Sequence, residues 1–189
     1  MKTGIILLAA GRSTRFGSDK RCAPWPGQTC MLKASIENAL QSGLPCYVVL
    51  HEGDQSILDH CIDDGAEAGV CPDASRGIGD SIAFGVHANQ DWDGWIIARA
   101  DMPWITAETY QVLASHLEDH DCARPVDEYG QPGYPTGFRK EHAFELMQLH
   151  GHRTEARLIP DAPYVNVMIG DSMIHSDVNR PEDLPTRPD

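Results

Sequence analysis

Apolar residues along this chain follow two patterns that take turns. Short continuous runs alternate with stretches whose apolar positions recur every three or four residues. The first pattern predicts strands covered on both faces of a sheet; the second predicts helices packed on it. Met1–Ala10, Cys46–Leu50 (CYVVL) and Trp95–Ala100 (WIIARA) are runs of the first kind. Glu67–Cys71, Cys122–Val126 and Tyr134–Phe138 predict shorter strands, the last two flanking the turn sequence DEYGQPG. Met31–Ser42 is helical through Leu32, Ile36, Ala39 and Leu40, with Gly43 as its cap and Pro45 as its exit. Asp54–Asp64 is helical through Ile57, Leu58, Cys61 and Ile62, and Gly65 closes it. Further helices are predicted over Ser81–Ala88, opened by RGIGD, from a Thr106 cap to about His120, and over Lys140–His150. The remaining pattern predicts a short helix at 153–159, strands at Tyr164–Met168 and Met173–His175, a helical turn from Pro181, and a loose tail, LPTRPD.

Strand and helix alternate through the first two thirds of the chain. That order predicts a three-layer α/β sandwich, a mostly parallel sheet with helices on both faces, as one domain over residues 1–189. Ligands of such sheets bind at the carboxyl ends of the strands. The loops to inspect therefore follow residues 10, 100 and 176.

Charge sharpens the choice among them. The net charge is −13 at pH 7, yet residues 1–33 carry six cations against Asp19 alone. An acidic body disfavours nucleic acid and anionic membranes as partners, and a basic patch on it predicts a small, local anion site. The competing interpretation is a solvated basic turn. No apolar run approaches the ~20 residues of a membrane span, and Ile5–Ala10 is too short for a secretion signal, so a cytoplasmic location is expected. The six cysteines form no C-x-x-C pair, which predicts reduced thiols, Cys22 included, most of them buried.

The basic patch is LAAGRSTRFGSDKR, residues 8 to 21, which continues directly from the first apolar run. Gly11 and Gly17 allow sharp turns that expose backbone N–H groups. Ser13 and Thr14 add donors, and Arg15 and Lys20 add charge, a combination suited to a triphosphate. The spacing is neither that of a Walker A loop nor G-x-G-x-x-G. It resembles the signature of the MobA-like nucleotidyltransferases, roughly L-A-[AG]-G-x-S-x-R-[MF]-G-x-x-K, with Phe16 at a position that is usually Met. The resemblance implies the nucleotide-diphospho-sugar (GT-A-like) transferase fold. It also implies a nucleotide site formed by Leu8, Ala9, Ala10, Gly11, Arg12, Ser13, Arg15 and Lys20, with Arg15 and Lys20 neutralising pyrophosphate as it leaves.

Three more segments extend the resemblance. Ala100-Asp101-Met102-Pro103 is similar to the family's A-D-M-P, which implies that Asp101 binds a catalytic Mg²⁺. Arg99 departs from the apolar residue usual there, and pairing with Asp101, contact with a phosphate and a surface salt bridge all stay open. IHSDVNRPEDL resembles D-I-D-T-P-E-D-L and implies Asp177 as the second Mg²⁺ ligand, with Asn179 as a helix cap. RGIGDSIAFGV resembles the cytidylyltransferase branch, which implies Gly79 and Ser81 at the base and favours CTP. GQPGYPTGF and, more loosely, GHRTEARLI resemble acceptor-side segments, with Arg157 at the family's Arg position and His152 and Glu155 departing from it.

Together these imply a Mg²⁺-dependent transferase that moves CMP from CTP to a phosphorylated pterin-type acceptor, molybdopterin or molybdenum cofactor, and releases pyrophosphate. Arg15, Lys20 and Asp101 would be catalytic. A molybdoenzyme or its chaperone would receive the product. Two alternatives stay open: a guanylyl- or sugar-phosphate nucleotidyltransferase on the same fold, and a non-catalytic nucleotide or pterin carrier. The pair His116 and His120 reads as a solvated helix face, and the four tryptophans as packing residues.

Overall fold

The computed structural model describes residues 1–158, 164–170 and 172–185. The chain runs β1 (Thr3–Leu8), α1 (Met31–Gln41), β2 (Cys46–His51), α2 (Gln55–Asp63), β3 (Glu67–Cys71), α3 (Ile78–Ala88), β4 (Gly94–Arg99) and α4 (Ala107–His116). It continues through β5 (Cys122–Val126), β6 (Thr136–Arg139), α5 (Ala143–Met147) and β7 (Tyr164–Met168). The strands form a seven-stranded sheet in the order β3-β2-β1-β4-β6-β5-β7. All neighbours are parallel except β6, which runs against both β4 and β5. The fold is the mostly parallel α/β sheet that the alternation predicts.

The two faces of β1 explain why it reads as unbroken apolar sequence. Ile5 and Leu7 enter a core with Ile36 of α1 and Leu113 of α4, whereas Ile6 enters the opposite core with Ile82 of α3 and Phe138 of β6. β4 divides likewise, with Ile96 and Ala98 on one side and Trp95 and Ile97 on the other. Sheet order reverses around β1. The chain first builds outward to β2 and β3, then returns to add β4 on the other side. The carboxyl ends of β1 and β4 therefore diverge into a crevice, the usual place for a ligand in such a sheet.

Several boundaries differ from expectation. The first strand is Thr3–Leu8, not Met1–Ala10, and α3 starts earlier, at Ile78. The helix expected over Lys140–His150 is a 3-10 turn, Lys140–His142, running into the short α5. The strand expected at Met173–His175 is a 3-10 turn, Ser172–His175, closed by the Ser176 amide on the Met173 carbonyl. The helix expected at 153–159 is a turn over Glu155–Arg157, and Ile159 lies outside the described residues, as do residues 186–189 of the tail. β6 begins only at Thr136, because Pro135 brings no N–H to the ladder.

Trp92 and Trp95 are core residues, and Trp25 and Trp104 pack edge to face, with ring centroids 5.1 Å apart. All six cysteines are free, four of them buried, and burial pushes the Cys46 thiol up to about 12. Cys22 is exposed, contrary to expectation, because its turn buries Arg21 instead. His116 and His120 are half-buried, their Nδ1 atoms facing the carbonyls of Val112 and His116.

α3 lies on β1 and β2 at Gly85, where a Cβ would fall 2.5 Å from Ile6 Cγ2 and 3.0 Å from Val49 Cγ2. Gly85→Val is expected to destabilise by about 1–3 kcal/mol through overpacking, read as a lower urea midpoint.

Candidate active site

The loop after β1 turns on two left-handed residues, Ser13 (φ 53°) and Gly17 (φ 82°). Ser13 earns its strained backbone through two local bonds: its carbonyl accepts the Phe16 amide at 2.9 Å and its hydroxyl accepts the Lys20 amide at 3.2 Å. The loop's cations then separate by role. Arg21 is buried and donates to the carboxylates of Asp19 and Asp54 and to the Ala9 carbonyl. It ties the loop to the start of α2, and Arg21 in turn holds the Asp19 carboxyl below its ordinary value. Arg12, Arg15 and Lys20 stay on the cavity side.

Each of those three cations has a fixed partner. Arg12 Nε donates to His51 Nε2 at 3.0 Å, at the end of β2. Arg15 Nη2 donates to Asn179 Oδ1 at 2.6 Å. Lys20 Nζ donates to Asp101 Oδ2 and to the Val178 carbonyl, both at 2.7 Å. Asn179 thus serves Arg15 rather than capping a helix with its side chain. Asp183 supplies the cap, its carboxylate accepting the Asn179 and Arg180 amides at 2.8 Å, which holds its carboxyl below the ordinary range.

Asp101 follows β4 across the crevice. Arg99 reaches it with two nitrogens, Nε to Oδ1 at 3.1 Å and Nη2 to Oδ2 at 3.0 Å. The same Nη2 lies 3.1 Å from Asp177 Oδ2. Arg99 therefore pairs with Asp101, one of the three roles open to it, and with Asp177 as well. Two carboxylates face two cations. Among the described residues no cluster of three or more His, Cys, Asp or Glu side chains is placed to hold a metal. A divalent ion here would have these two carboxylates, hard oxygen donors of the kind Mg²⁺ accepts when substrate oxygens complete its shell.

A cavity of about 590 Å³ opens at this point. Leu8, Ala9, Ala10, Gly11, Arg12, Ser13, Arg15, Lys20, Ser81 and Asp101 line it, as do Arg99, His51, His152 and Asn179. Asp177 adjoins it through Arg99. Gly79, singled out in the sequence for the base, does not line it. It faces the segment 150–153: its amide donates to the Gly151 carbonyl at 2.9 Å, and a Cβ would fall 2.7 Å from the Arg153 carbonyl. Its glycine is needed for that close approach. Asp80 returns the contact by accepting the Gly151 amide at 2.7 Å.

Residues 5–166 match the model of the MobA-like NTP transferase domain. The chain belongs to the MobA-like NTP transferase family. It is a nucleotidyltransferase of that family; the loop after β1 and Asp101 lie within the matched span, and Asp177 and Asn179 lie beyond it. It is similar to the molybdenum cofactor cytidylyltransferase of Escherichia coli, 26% identical over 182 residues, covering 96% of this chain and 93% of that protein. It is also similar to a probable molybdenum cofactor guanylyltransferase of Bacillus cereus, 26% identical over 125 residues, 64% of this chain and 60% of that protein. In fold it resembles Rv0371c of Mycobacterium tuberculosis, with a TM-score of 0.84, 24% identity, and coverage of 97% and 95% of the two chains. A manganese complex of Rv0371c aligns with a TM-score of 0.80 at 22% identity, covering 97% and 96%.

Sequence reasoning missed His51 and Glu155. His51 closes an ordinary apolar strand, and only the fold brings it to Arg12. Glu155 lies in a polar stretch, yet it is 0% exposed, and among the described residues neither carboxylate oxygen has a hydrogen-bond partner. Arg157, which the resemblance favoured, is exposed and does not line the cavity.

Burial pushes the Glu155 carboxyl up, more than Tyr134 and Arg99 lower it. In the unfolded chain it titrates near ~4.3. Above that pH the unfolded state releases its proton while the folded state retains it, so folding loses stability as pH rises. Glu155→Gln is therefore expected to raise the melting temperature more at about pH 8 than at about pH 5.5, measured by thermal unfolding at constant ionic strength.

Proposed function

We propose that this nucleotidyltransferase moves CMP from CTP to the phosphate of a pterin-type acceptor of the molybdenum cofactor class, releasing pyrophosphate, with Mg²⁺ held by Asp101 and Asp177. The observation that carries this reading is the cavity itself: a glycine-bearing loop with Arg12, Arg15 and Lys20 faces Asp101 across one crevice. The Escherichia coli relative, similar along nearly the whole chain, supports CTP and the pterin acceptor. Ser81 in the cavity wall supports base contact from α3. The manganese complex of Rv0371c supports a divalent ion on this fold. Six free cysteines suit the reducing cytoplasm.

In the reaction, an oxygen of the acceptor phosphate attacks the α-phosphorus of CTP. That P–O bond forms as the bond to the β-phosphate oxygen breaks, and the departing electron pair stays on pyrophosphate. A phosphate nucleophile is already ionised near neutrality and needs no strong general base. The chain's work is therefore positioning and charge neutralisation. Lys20 and Arg15 supply positive charge to the triphosphate, and the exposed amides of the Gly11 turn hold it by hydrogen bonds. Arg12, braced by His51, adds a third cation at the β2 side of the loop. Asp101 and Asp177 would hold Mg²⁺, which when bound would supply Lewis-acid charge withdrawal from the phosphates.

Calorimetric titration with CTP, GTP, ATP and UTP, each with Mg²⁺, tests the base: CTP is expected to bind tightest, and a GTP preference would move the protein to the guanylyl reading. Asp101→Ala is expected to abolish pyrophosphate release while the near-ultraviolet dichroism stays native, and ordinary turnover in that variant would remove the metal assignment. Lys20→Ala is expected to weaken CTP binding roughly 10- to 100-fold, the loss of a charge-assisted contact, in the same titration.

A further inference from the structure

Arg99 stands where an incoming cation would have to stand. Its guanidinium spans both carboxylates, touching Asp101 through both oxygens and Asp177 through one. Lys20 holds Asp101 from the other side. These two cations balance the two carboxylates, so the attraction that would draw a divalent ion into the site is already met from within the chain. Lys20 sits at the phosphate loop and remains useful with nucleotide bound. Arg99 competes directly for the oxygens. A guanidinium does not shed its proton in a protein, so it frees them only by moving.

Behind Arg99 the structure keeps two unusual neighbours. The Tyr134 ring lies 5.6 Å from the guanidinium carbon, a cation–π contact over which the flat group can slide. The second is Glu155, wholly buried, and among the described residues neither of its oxygens has a hydrogen-bond partner. Arg99 and Tyr134 are the side chains that act on it electrostatically. A buried carboxyl left unpaired is costly, and native structures rarely tolerate one without a use.

We propose that Arg99 is a gate on the metal site: it clasps Asp101 and Asp177 until a divalent cation arrives, then releases them and turns past Tyr134 toward Glu155, its second partner. The inference rests on the reading of Asp101 and Asp177 as metal ligands. It makes Arg99 a positioning residue for the cation and gives Glu155 a function that its burial alone would penalise. The swing exchanges the two crevice carboxylates for a single buried acid. The gate sets a threshold: the nucleotide-free protein binds divalent ions weakly, and the ion is retained when nucleotide oxygens add to the carboxylates.

The test uses Mn²⁺ alone as probe, with free Mn²⁺ counted by electron paramagnetic resonance in the full chain without nucleotide. Arg99→Leu is expected to bind Mn²⁺ at least about tenfold more tightly than the wild type, because the competing cation is gone. Glu155→Gln is expected to bind it about threefold more weakly, because the released guanidinium loses its second partner. The double variant is expected to match Arg99→Leu, since Glu155 has no part to play once the arginine is absent. If Arg99→Leu binds no more tightly than the wild type, while Asp101→Ala abolishes binding in both, the gate is overturned and the metal site stands. If Asp101→Ala leaves Mn²⁺ binding in the Arg99→Leu background unchanged, the metal reading falls and the gate with it. If Glu155→Gln has the same effect with and without Arg99, Glu155 is not the second station and the proposal fails in that part. Near-ultraviolet dichroism of each variant checks that the fold is kept.

Discussion

Six residues of β1 run parallel with six of β4, from Thr3 opposite Gly94 to Leu8 opposite Arg99, and the charged groups of the crevice hang from the end of that ladder. The pairing decides more than the shape of the sheet. It brings the basic loop, which leaves β1, within reach of Asp101, which follows β4. Neither segment carries its partner nearby in sequence. The Lys20–Asp101 contact joins residues 81 positions apart, and Lys20 to the Val178 carbonyl joins residues 158 apart. The Val178 amide then donates to the Asp101 carbonyl at 2.8 Å, so the third loop is stitched to the second by backbone as well. With both strands covered on each face, this junction is held by the middle of the core rather than by the loops themselves.

On so acidic a protein, the way the loop's charges are divided matters as much as their number. Arg21 spends its positive charge inside the chain, on Asp19 and Asp54, and its neighbour Lys20 reaches the crevice. Consecutive residues of one short turn thereby have opposite duties, one to fix the loop and one to meet what enters. The carboxylates of the crevice are similarly engaged. With Lys20 and Arg99 both on Asp101, the site is close to neutral before anything binds, which limits the cost of holding two acids together.

How much of this was legible in the sequence follows from where the information lies. β1 and β4 were readable because burial on both faces leaves an unbroken apolar run. The placement of the basic loop and of Asp101 at the crevice was readable because local spacing and the strand ends fixed it. Met173–His175 was misread as a strand because three residues of mixed polarity satisfy either pattern, and only the carbonyl and amide bonds of the folded chain decide between them. Gly79 was misread because a glycine that meets a backbone and one that meets a ligand look alike in one dimension. Glu155 was beyond reach for the opposite reason: a glutamate among polar neighbours announces exposure, and its burial comes from elements distant in the chain.

The reciprocal bonds between the start of α3 and the segment 150–153 have a consequence for heredity. Gly79 donates to Gly151, Asp80 accepts from it, and Gly77 leaves room for its carbonyl, which lies 2.2 Å from where a Cβ would stand. Through that seam Ser81 and His152 reach one cavity from remote parts of the gene. Neither side can drift without the other. A recombination event that exchanged one stretch alone would set a side chain or a mismatched backbone against this seam, so the two walls of the crevice are exchangeable only together.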